Sequence, residues 1–240
     1  MATVGTFWQN LKKFAVENFY PEKYRCLLCV TEIYDGNYLC SDCLKRLVIN
    51  DGVTCPKCGR KVAKNEICIE CKANMPTYDR AFSPLLYEDY SARLVGAFKN
   101  DFPNFATYIA ELMAEVKGVP KADGIVYIPM TKRALNKRGY NQSRLLAEAY
   151  SAIVGVPVLY DAVKKIKETP AQKDLDRSQR LKNLQSCFKA DAAAVKGKTL
   201  IVVDDIMTTG ATADCMAKTL KTAGACAVFV ITAASVEYKK

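Results

Sequence analysis

In the second half of the chain, apolar β-rich runs alternate with segments whose apolar residues have helical spacing, and this alternation predicts the architecture. The apolar, β-rich runs lie at 124–129, 156–160, 199–205 and 226–233. Segments with apolar residues at helical spacing follow two of these runs, at 141–154 and 211–223. Strands that alternate with helices form βαβ units. The pattern therefore predicts an α/β fold, a parallel sheet flanked by helices.

The rest of the chain divides into stretches of different character. Residues 1–22 predict an amphipathic helix that ends near Pro21 and docks on the protein, with a membrane surface or a partner as the alternative. Residues 77–118 predict a short strand and two helices, which join the α/β domain at 77–240. The charged, weakly periodic stretch 161–186 predicts a long loop.

A cysteine-rich module at 23–76 is too small to close a large core and needs another source of stability. Four Cys-x-x-Cys pairs supply it, because two thiolates of one tight turn can bind a single Zn²⁺ at about 2.3 Å. Four pairs predict two closed, structural zinc sites. Sequential pairing is the simplest assignment, and interleaved pairing is the alternative. The predicted ligands are Cys26, Cys29, Cys40, Cys43, Cys55, Cys58, Cys68 and Cys71.

The composition excludes some catalytic mechanisms and indicates the kind of partner and the compartment. The chain has 240 residues, a formal net charge of +10 and no histidine, which excludes catalysis by Ser-His-Asp or Cys-His arrangements. Residues 117–190 hold 15 Lys and Arg against 6 Asp and Glu, so an anionic partner is expected there. With no apolar run of membrane-spanning length and no export signal in the sequence, metal-binding cysteines predict a cytoplasmic protein without stable membrane insertion.

The most specific motif lies at 201–212, where a buried strand ends in Asp204 and Asp205 and a small-residue loop opens a helix. The loop Thr208–Thr212 would present main-chain N–H groups and hydroxyls to an anion at the helix N-terminus. The two carboxylates would accept hydrogen bonds from vicinal hydroxyls or bind Mg²⁺. A ligand with hydroxyls and a phosphate, such as ribose 5-phosphate, satisfies both parts. The alternative is a solvated acidic strand end with an ordinary helix cap.

This motif resembles the phosphoribosyl-pyrophosphate signature of type I phosphoribosyltransferases. Together with the four cysteine pairs, the chain from about Tyr24 onwards resembles the ComF family of competence-associated proteins. The resemblance implies a double zinc ribbon at 23–76 followed by a type I phosphoribosyltransferase-like domain at 77–240. Further matching motifs are Tyr87…Ala92-Arg93-Leu94…Phe98-Lys99, Arg138-Gly139-Tyr140-Asn141-Gln142 and Thr169-x-x-Gln172-x-x-Leu175…Arg180-x-x-Asn183…Phe188.

The family resemblance also implies residue roles. Asp204 and Asp205 would bind the ribose hydroxyls, and Thr208–Thr212 would bind the 5-phosphate. The loop at 161–186 would be a flexible hood. Residues of the pyrophosphate loop and its surroundings would be Pro129, Met130, Thr131, Lys132, Arg138, Asn141 and Gln142; hood residues that contact pyrophosphate would be Lys173, Arg177 and Arg180.

Two functions follow from these expectations. The first is a Mg²⁺-dependent enzyme that transfers phosphoribosyl from phosphoribosyl pyrophosphate to an unknown acceptor. The second is a non-enzymatic accessory factor in DNA uptake, which would use the zinc module and the basic segment to bind single-stranded DNA or a helicase. The sequence leaves the acceptor and the oligomeric state open.

Overall fold

The computed structural model describes residues 25–34, 37–100, 105–167 and 187–237. The helix predicted at 1–22 lies outside these ranges. The chain forms two compact units, residues 1–47 and 48–240. Within the described ranges, no helix combines the length and the apolar character needed to cross a membrane.

The first unit is built around a turn that carries two cysteines. Arg25 and Glu32 form an antiparallel bridge that closes this turn. Helix α1, Ser41–Lys45, follows in the same unit. Its N-cap is Cys40, whose sulfur lies 3.5 Å from the N–H of Cys43. Metal-ligating side chains therefore define the local structure of a segment that is short of apolar residues.

The second unit begins with a matching cysteine turn. Thr54 and Lys61 form its antiparallel bridge, and helix α2, Ile69–Ala73, follows. The chain then enters a parallel sheet, as the sequence pattern predicts. The strands of the whole unit are β1 Arg80–Phe82, β2 Leu85–Leu86, β3 Gly124–Tyr127, β4 Val163–Lys165, β5 Phe188–Ala190, β6 Thr199–Met207 and β7 Ala227–Ser235. Of these, β4 and β5 form a separate two-stranded sheet.

The main sheet has the strand order β1-β7-β6-β3, with β2 also paired to β7, and every pair in it is parallel. Strands β6 and β7 form its centre. Residues 200–203 of β6 and seven of the nine residues of β7 are buried, as expected of a sheet covered on both faces. The helices of this unit after α2 are α3 Asp89–Asn100, α4 Phe105–Ala114, α5 Lys132–Arg138, α6 Gln142–Val154, α7 Ala192–Val195 and α8 Ala211–Thr222.

Two regions differ from the sequence pattern. The run at 156–160 forms only one parallel bridge, between Val158 and Ile125, instead of a strand. Pro157 lies in this run and has no N–H to donate to a strand ladder, although its carbonyl accepts from Ile125. The loop predicted at 161–186 begins with β4, which pairs antiparallel with β5 beyond the loop's other end. A two-stranded ribbon therefore closes its base.

Candidate functional site

The eight predicted zinc ligands form two tetrads in sequential order. Within each tetrad all four sulfur atoms lie within 4.8 Å of one another. Tetrahedral Zn²⁺ with bonds of about 2.3 Å places its sulfur ligands about 3.8 Å apart. The Sγ atoms of Cys29 and Cys40 are 3.6 Å apart, and those of Cys58 and Cys68 are 3.7 Å apart. The geometry therefore fits two structural zinc sites with the simple pairing.

One thiol of each tetrad has a lowered pKa, whereas burial raises the pKa of Cys43 and Cys68, and hydrogen bonding with Cys58 raises that of Cys71. In the first, hydrogen bonding with Thr31 lowers the pKa of Cys29 to about 6. In the second, a hydrogen bond from Cys71 lowers the pKa of Cys58 to about 5, and the Arg60 backbone N–H and guanidinium charge act in the same direction. Because Zn²⁺ binds the thiolate form, Cys29 and Cys58 are suited to hold it near neutral pH.

The two acidic residues of the phosphate motif lie within the carboxyl-terminal part of β6. The hydroxyl of Ser143, at the start of α6, donates to Asp204 Oδ1 over 2.9 Å. Main-chain N–H groups also donate to this pair: that of Asp205 to Asp204 Oδ1 at 3.0 Å, and that of Ile206 to Asp205 Oδ1 at 2.7 Å. These bonds fix both carboxylates at the edge of the sheet where ligands of open α/β folds bind.

The predicted phosphate loop follows β6 directly. Gly210 is the N-cap of α8 and has a φ of 76°, a conformation that glycine adopts without strain. Glycine has no side chain to cap the first turn of α8, so main-chain N–H groups there remain suited to an anion. A small concavity at this point is lined by Asp204, Ile206, Met207, Thr208, Gly210, Ala211, Thr212, Ala213 and Thr232.

The predicted pyrophosphate loop, Pro129–Lys132, follows the adjacent strand β3. The N–H of Ile128 donates to the carbonyl of Val203 at 3.2 Å, so this loop leaves the sheet beside the end of β6. Thr131 caps α5 by accepting from the N–H of Ala134 at 3.2 Å. The structure therefore brings the predicted pyrophosphate loop and the acidic pair to the same edge of the sheet.

Three further predicted site residues lie next to this loop. Asn141 is the N-cap of α6, and its side-chain amide donates to the carbonyl of Ile128 at 3.0 Å. Arg138 lies at the end of α5 and donates to the buried Gln142 at 3.1 Å. The predicted hood residues Lys173, Arg177 and Arg180 lie outside the described residues. The catalytic and binding roles of all these residues stay predictions.

Two protein-family models match separate parts of the chain. Residues 15–72 match the double zinc ribbon domain, and residues 141–240 match the phosphoribosyl transferase domain. Competence protein F of Haemophilus influenzae is 27% identical over 219 residues, which cover 86% of this chain and 94% of that protein. DNA utilization protein YhgH of Escherichia coli K12 is 28% identical over 85% of this chain and 94% of its own length.

The chain is therefore similar over most of its length to proteins named for competence and for DNA utilization. A third relative, competence protein ComFC of Bacillus subtilis, is 26% identical over 79% of this chain and 85% of its own length. Among solved structures, a glutamine phosphoribosylpyrophosphate amidotransferase from B. subtilis aligns with 52% of this chain at 21% identity and a TM-score of 0.38. The aligned part is only 25% of that longer protein.

A second concave surface of the chain, called the basic cleft below, lies between the predicted pyrophosphate loop and the β4–β5 ribbon. It encloses about 750 Å³, and its wall combines basic and aromatic side chains. At its edge, the guanidinium of Arg144 lies 5.2 Å from the ring centroid of Tyr160, whose side chain is exposed. The basic and aromatic residues of the wall are Tyr127, Lys132, Tyr140, Arg144, Lys164 and Lys165. The wall also includes the carboxylates of Glu148 and Asp161, and Glu148 pairs with Arg144 at 2.9 Å.

Two residues that shape the site were missed by sequence reasoning. Ser143 orients Asp204, and its place two residues after the N-cap Asn141 was the available signal. Arg60 follows a cysteine pair, and its side chain reaches the phosphate loop, where it donates to the carbonyl of Thr208. Arg60 and Thr208 are 148 positions apart, so no local pattern indicates their contact.

Proposed function

We propose that this chain binds phosphoribosyl pyrophosphate with Mg²⁺ and transfers its phosphoribosyl group to an acceptor whose identity is open. One observation carries the proposal: the acidic pair Asp204–Asp205 runs directly into the loop that opens α8. Carboxylates that can accept hydrogen bonds from hydroxyls therefore lie beside main-chain N–H groups that can donate to a phosphate. Both are next to the predicted pyrophosphate loop that follows β3. The match of residues 141–240 to the phosphoribosyl transferase domain supports the same ligand.

In the proposed complex, each part of the ligand has its own partner. The 5-phosphate accepts hydrogen bonds from the main chain of Thr208–Thr212, at the positive end of the α8 dipole. The ribose hydroxyls donate to Asp204 and Asp205. The pyrophosphate lies against Pro129–Lys132, with Arg138, Asn141 and Gln142 beside it. Mg²⁺ would supply positive charge to the pyrophosphate.

The proposed reaction needs positioning and charge more than a proton-transfer residue. The bond from C1 of ribose to the pyrophosphate oxygen breaks with its electron pair on the pyrophosphate, and a lone pair of the acceptor forms the new bond to C1. Positive charge that develops on the ribose ring is stabilised by nearby carboxylates, and negative charge on the leaving group by Lys132 and hood cations. A chain without histidine can carry out such a reaction.

The direct test is calorimetry with phosphoribosyl pyrophosphate and Mg²⁺. Asp205→Asn should weaken binding by about 100-fold or more, because a charged acceptor of ribose hydroxyls is lost. Asp191→Asn is the matched control, since Asp191 is exposed and only caps the short helix α7. Unchanged affinity in Asp205→Asn would contradict the site. Pyrophosphate release across a panel of bases then separates a transferase from a binding protein.

A second candidate function is the binding of single-stranded DNA. The basic cleft of about 750 Å³ combines aromatic rings with basic side chains, as do the grooves of proteins that bind single-stranded nucleic acids. Relatives named for competence and DNA utilization favour the same idea. An accessory role in DNA uptake, with a helicase as partner, would then use the ligand site without turnover. The cysteine tetrads, which need reduced thiols, favour the cytoplasm for either function.

Charge reversal tests the DNA candidate. Replacing Lys164, Lys165 and Lys167 with glutamate should lower affinity for a single-stranded oligonucleotide at least tenfold and flatten its salt dependence. Glutamate at the exposed Lys121, Lys196 and Lys218 is the control with the same change in net charge. If both sets lower binding equally, the attraction comes from net charge and not from the cleft.

A further inference from the structure

Arg60 is a buried cation in the second cysteine turn, and its side chain reaches beyond the zinc ribbon. It stands two residues after Cys58 and is only 5% exposed. Arginine is almost never buried this deeply unless its charge is paired. Its Nη1 donates to Glu70 Oε2 at 2.5 Å, and its Nη2 donates to the carbonyl of Thr208. One guanidinium therefore joins the second zinc ribbon to the first residue of the phosphate loop.

The ribbon end of this link is held by segments that carry zinc ligands. The carbonyl of Arg60 accepts from the N–H of Cys55 at 2.8 Å, so the backbone of Arg60 belongs to the cysteine turn. Glu70 lies on α2 between the ligands Cys68 and Cys71. The direction of the guanidinium therefore depends on two segments that a bound Zn²⁺ holds together.

At the other end, Arg60 fixes the orientation of a peptide group in the phosphate loop. In a planar trans peptide the C=O and the following N–H point in opposite directions. A bond from Arg60 to the carbonyl of Thr208 therefore turns the N–H of Thr209 away from Arg60. The side-chain oxygen of Thr209 in turn accepts from the N–H of Ala211 at 3.4 Å, which extends this order to the start of α8.

Two more contacts support the loop from the same side. The N–H of Thr77 donates to Asp214 Oδ1 in the first turn of α8 at 2.5 Å. The hydroxyl of Tyr78 lies so close to Gly210 that a Cβ there would be 3.3 Å from it. The four cysteines of the second tetrad also belong to the buried cluster that contains Met207 and Ala211. The ribbon and the loop therefore pack as one body.

We propose that Arg60 is a positioning residue for the phosphate loop, through which the second zinc site holds the loop in its anion-binding form. The identity of the anion as the 5-phosphate of a phosphoribosyl ligand rests on the proposed function. The positioning itself rests on the contacts of Arg60 with Thr208 and Glu70. Zinc occupancy and phosphate affinity are therefore coupled in this chain.

Ligand affinity in Arg60→Gln tests the proposal. Affinity for ribose 5-phosphate should fall roughly tenfold or more, because a charge-assisted hydrogen bond that orders the loop is lost. Affinity for magnesium pyrophosphate should stay within about twofold, since the predicted pyrophosphate loop is on β3. Lys72→Ala is the matched control, because Lys72 lies on α2 and pairs only with exposed Glu66 at 3.1 Å among the described contacts. Two zinc ions per chain should remain in both variants.

Hydrogen exchange gives a readout that does not depend on the ligand. In Arg60→Gln the amides of residues 209–213 should exchange about tenfold faster than in the wild type, and Arg60→Lys should lie between the two. If Arg60→Gln does not fold, Glu70→Gln takes its place, with a smaller change in the same direction. Faster exchange in Arg60→Gln, together with a wild type that binds no ribose 5-phosphate, would support positioning and contradict the proposed function. Unchanged exchange and unchanged affinity would overturn the proposal.

Discussion

The two cysteine tetrads have the same ligands and spacing but different surroundings. In the first, Cys29 is exposed and Cys40 is half-buried, and the surrounding segment, 25–47, contributes few buried apolar residues. In the second, all four cysteines are buried in the cluster that contains the central strands β6 and β7. The comparison teaches that a zinc site can be a local staple or a part of a domain core, and that ligand spacing alone does not distinguish these cases.

The cysteine turns of the two tetrads differ in the same sense. Val30 has a φ of 63°, and Gly59, at the equivalent place in the second turn, has a φ of 69°. A β-branched residue in this conformation is strained, whereas glycine is not. A Cβ on Gly59 would lie 2.3 Å from the carbonyl oxygen of Ala81 in β1. The second turn is glycine because the sheet leaves no room for a side chain, while Val30 is 60% exposed.

The largest expected effect comes from removing one zinc site at a time. Cys58→Ser with Cys71→Ser should unfold much of the second unit, because zinc-binding free energy of about 10 kcal/mol contributes directly to folding in such sites. Cys26→Ser with Cys43→Ser should leave the melting of the second unit within a few degrees of the wild type. Calorimetric melting with zinc analysis measures both, and equal loss in the two variants would contradict the difference between the tetrads.

The next effect concerns Gly59. Gly59→Ala should cost about 3 kcal/mol or more, because backbone strain adds to the clash with Ala81. It should also weaken ribose 5-phosphate binding, since Arg60 moves with the turn.

Gly197→Ala is the matched control for Gly59→Ala. Gly197 has a φ of 74°, and nothing lies within 4 Å of its added Cβ, so the cost should be about 1 kcal/mol from strain alone. Urea unfolding gives both values. Equal costs would show that the contact with β1 has no energetic role.

The smallest effect concerns Val30. Val30→Gly should relieve the strain of the first turn, but the greater freedom of glycine in the unfolded chain offsets part of this, leaving a gain below about 1 kcal/mol. The first zinc should then resist a competing chelator slightly longer, with no change in phosphate binding. Val53→Gly is the control, an exposed valine whose φ is not positive and whose replacement should destabilise. A loss of zinc in Val30→Gly would contradict the strain at this position.

The sequence predicts much of this structure because its signals are local. The cysteine pairs, the strand that ends at Asp204 and Asp205, and the helix after Gly210 are all continuous in the chain, and the structure has them at nearly the predicted bounds. Parallel pairing follows from the alternation of strands with helices.

What sequence reasoning missed depends on contacts between distant residues. Arg60 and Thr208 meet only because the ribbon packs beside the end of β6, and Ser143 reaches Asp204 over 61 positions. The β4–β5 ribbon likewise pairs two short segments, each only three residues long. Such segments carry too little periodicity to be recognised before their partners are known.

A crystal structure of the zinc-loaded chain with phosphoribosyl pyrophosphate and Mg²⁺ tests the central claim most directly. The 5-phosphate should lie on the main-chain N–H groups of Thr208–Thr212, with the ribose hydroxyls on Asp204 and Asp205 and the guanidinium of Arg60 still bound to the carbonyl of Thr208. A phosphate bound elsewhere, with this loop empty at saturating ligand, would contradict it.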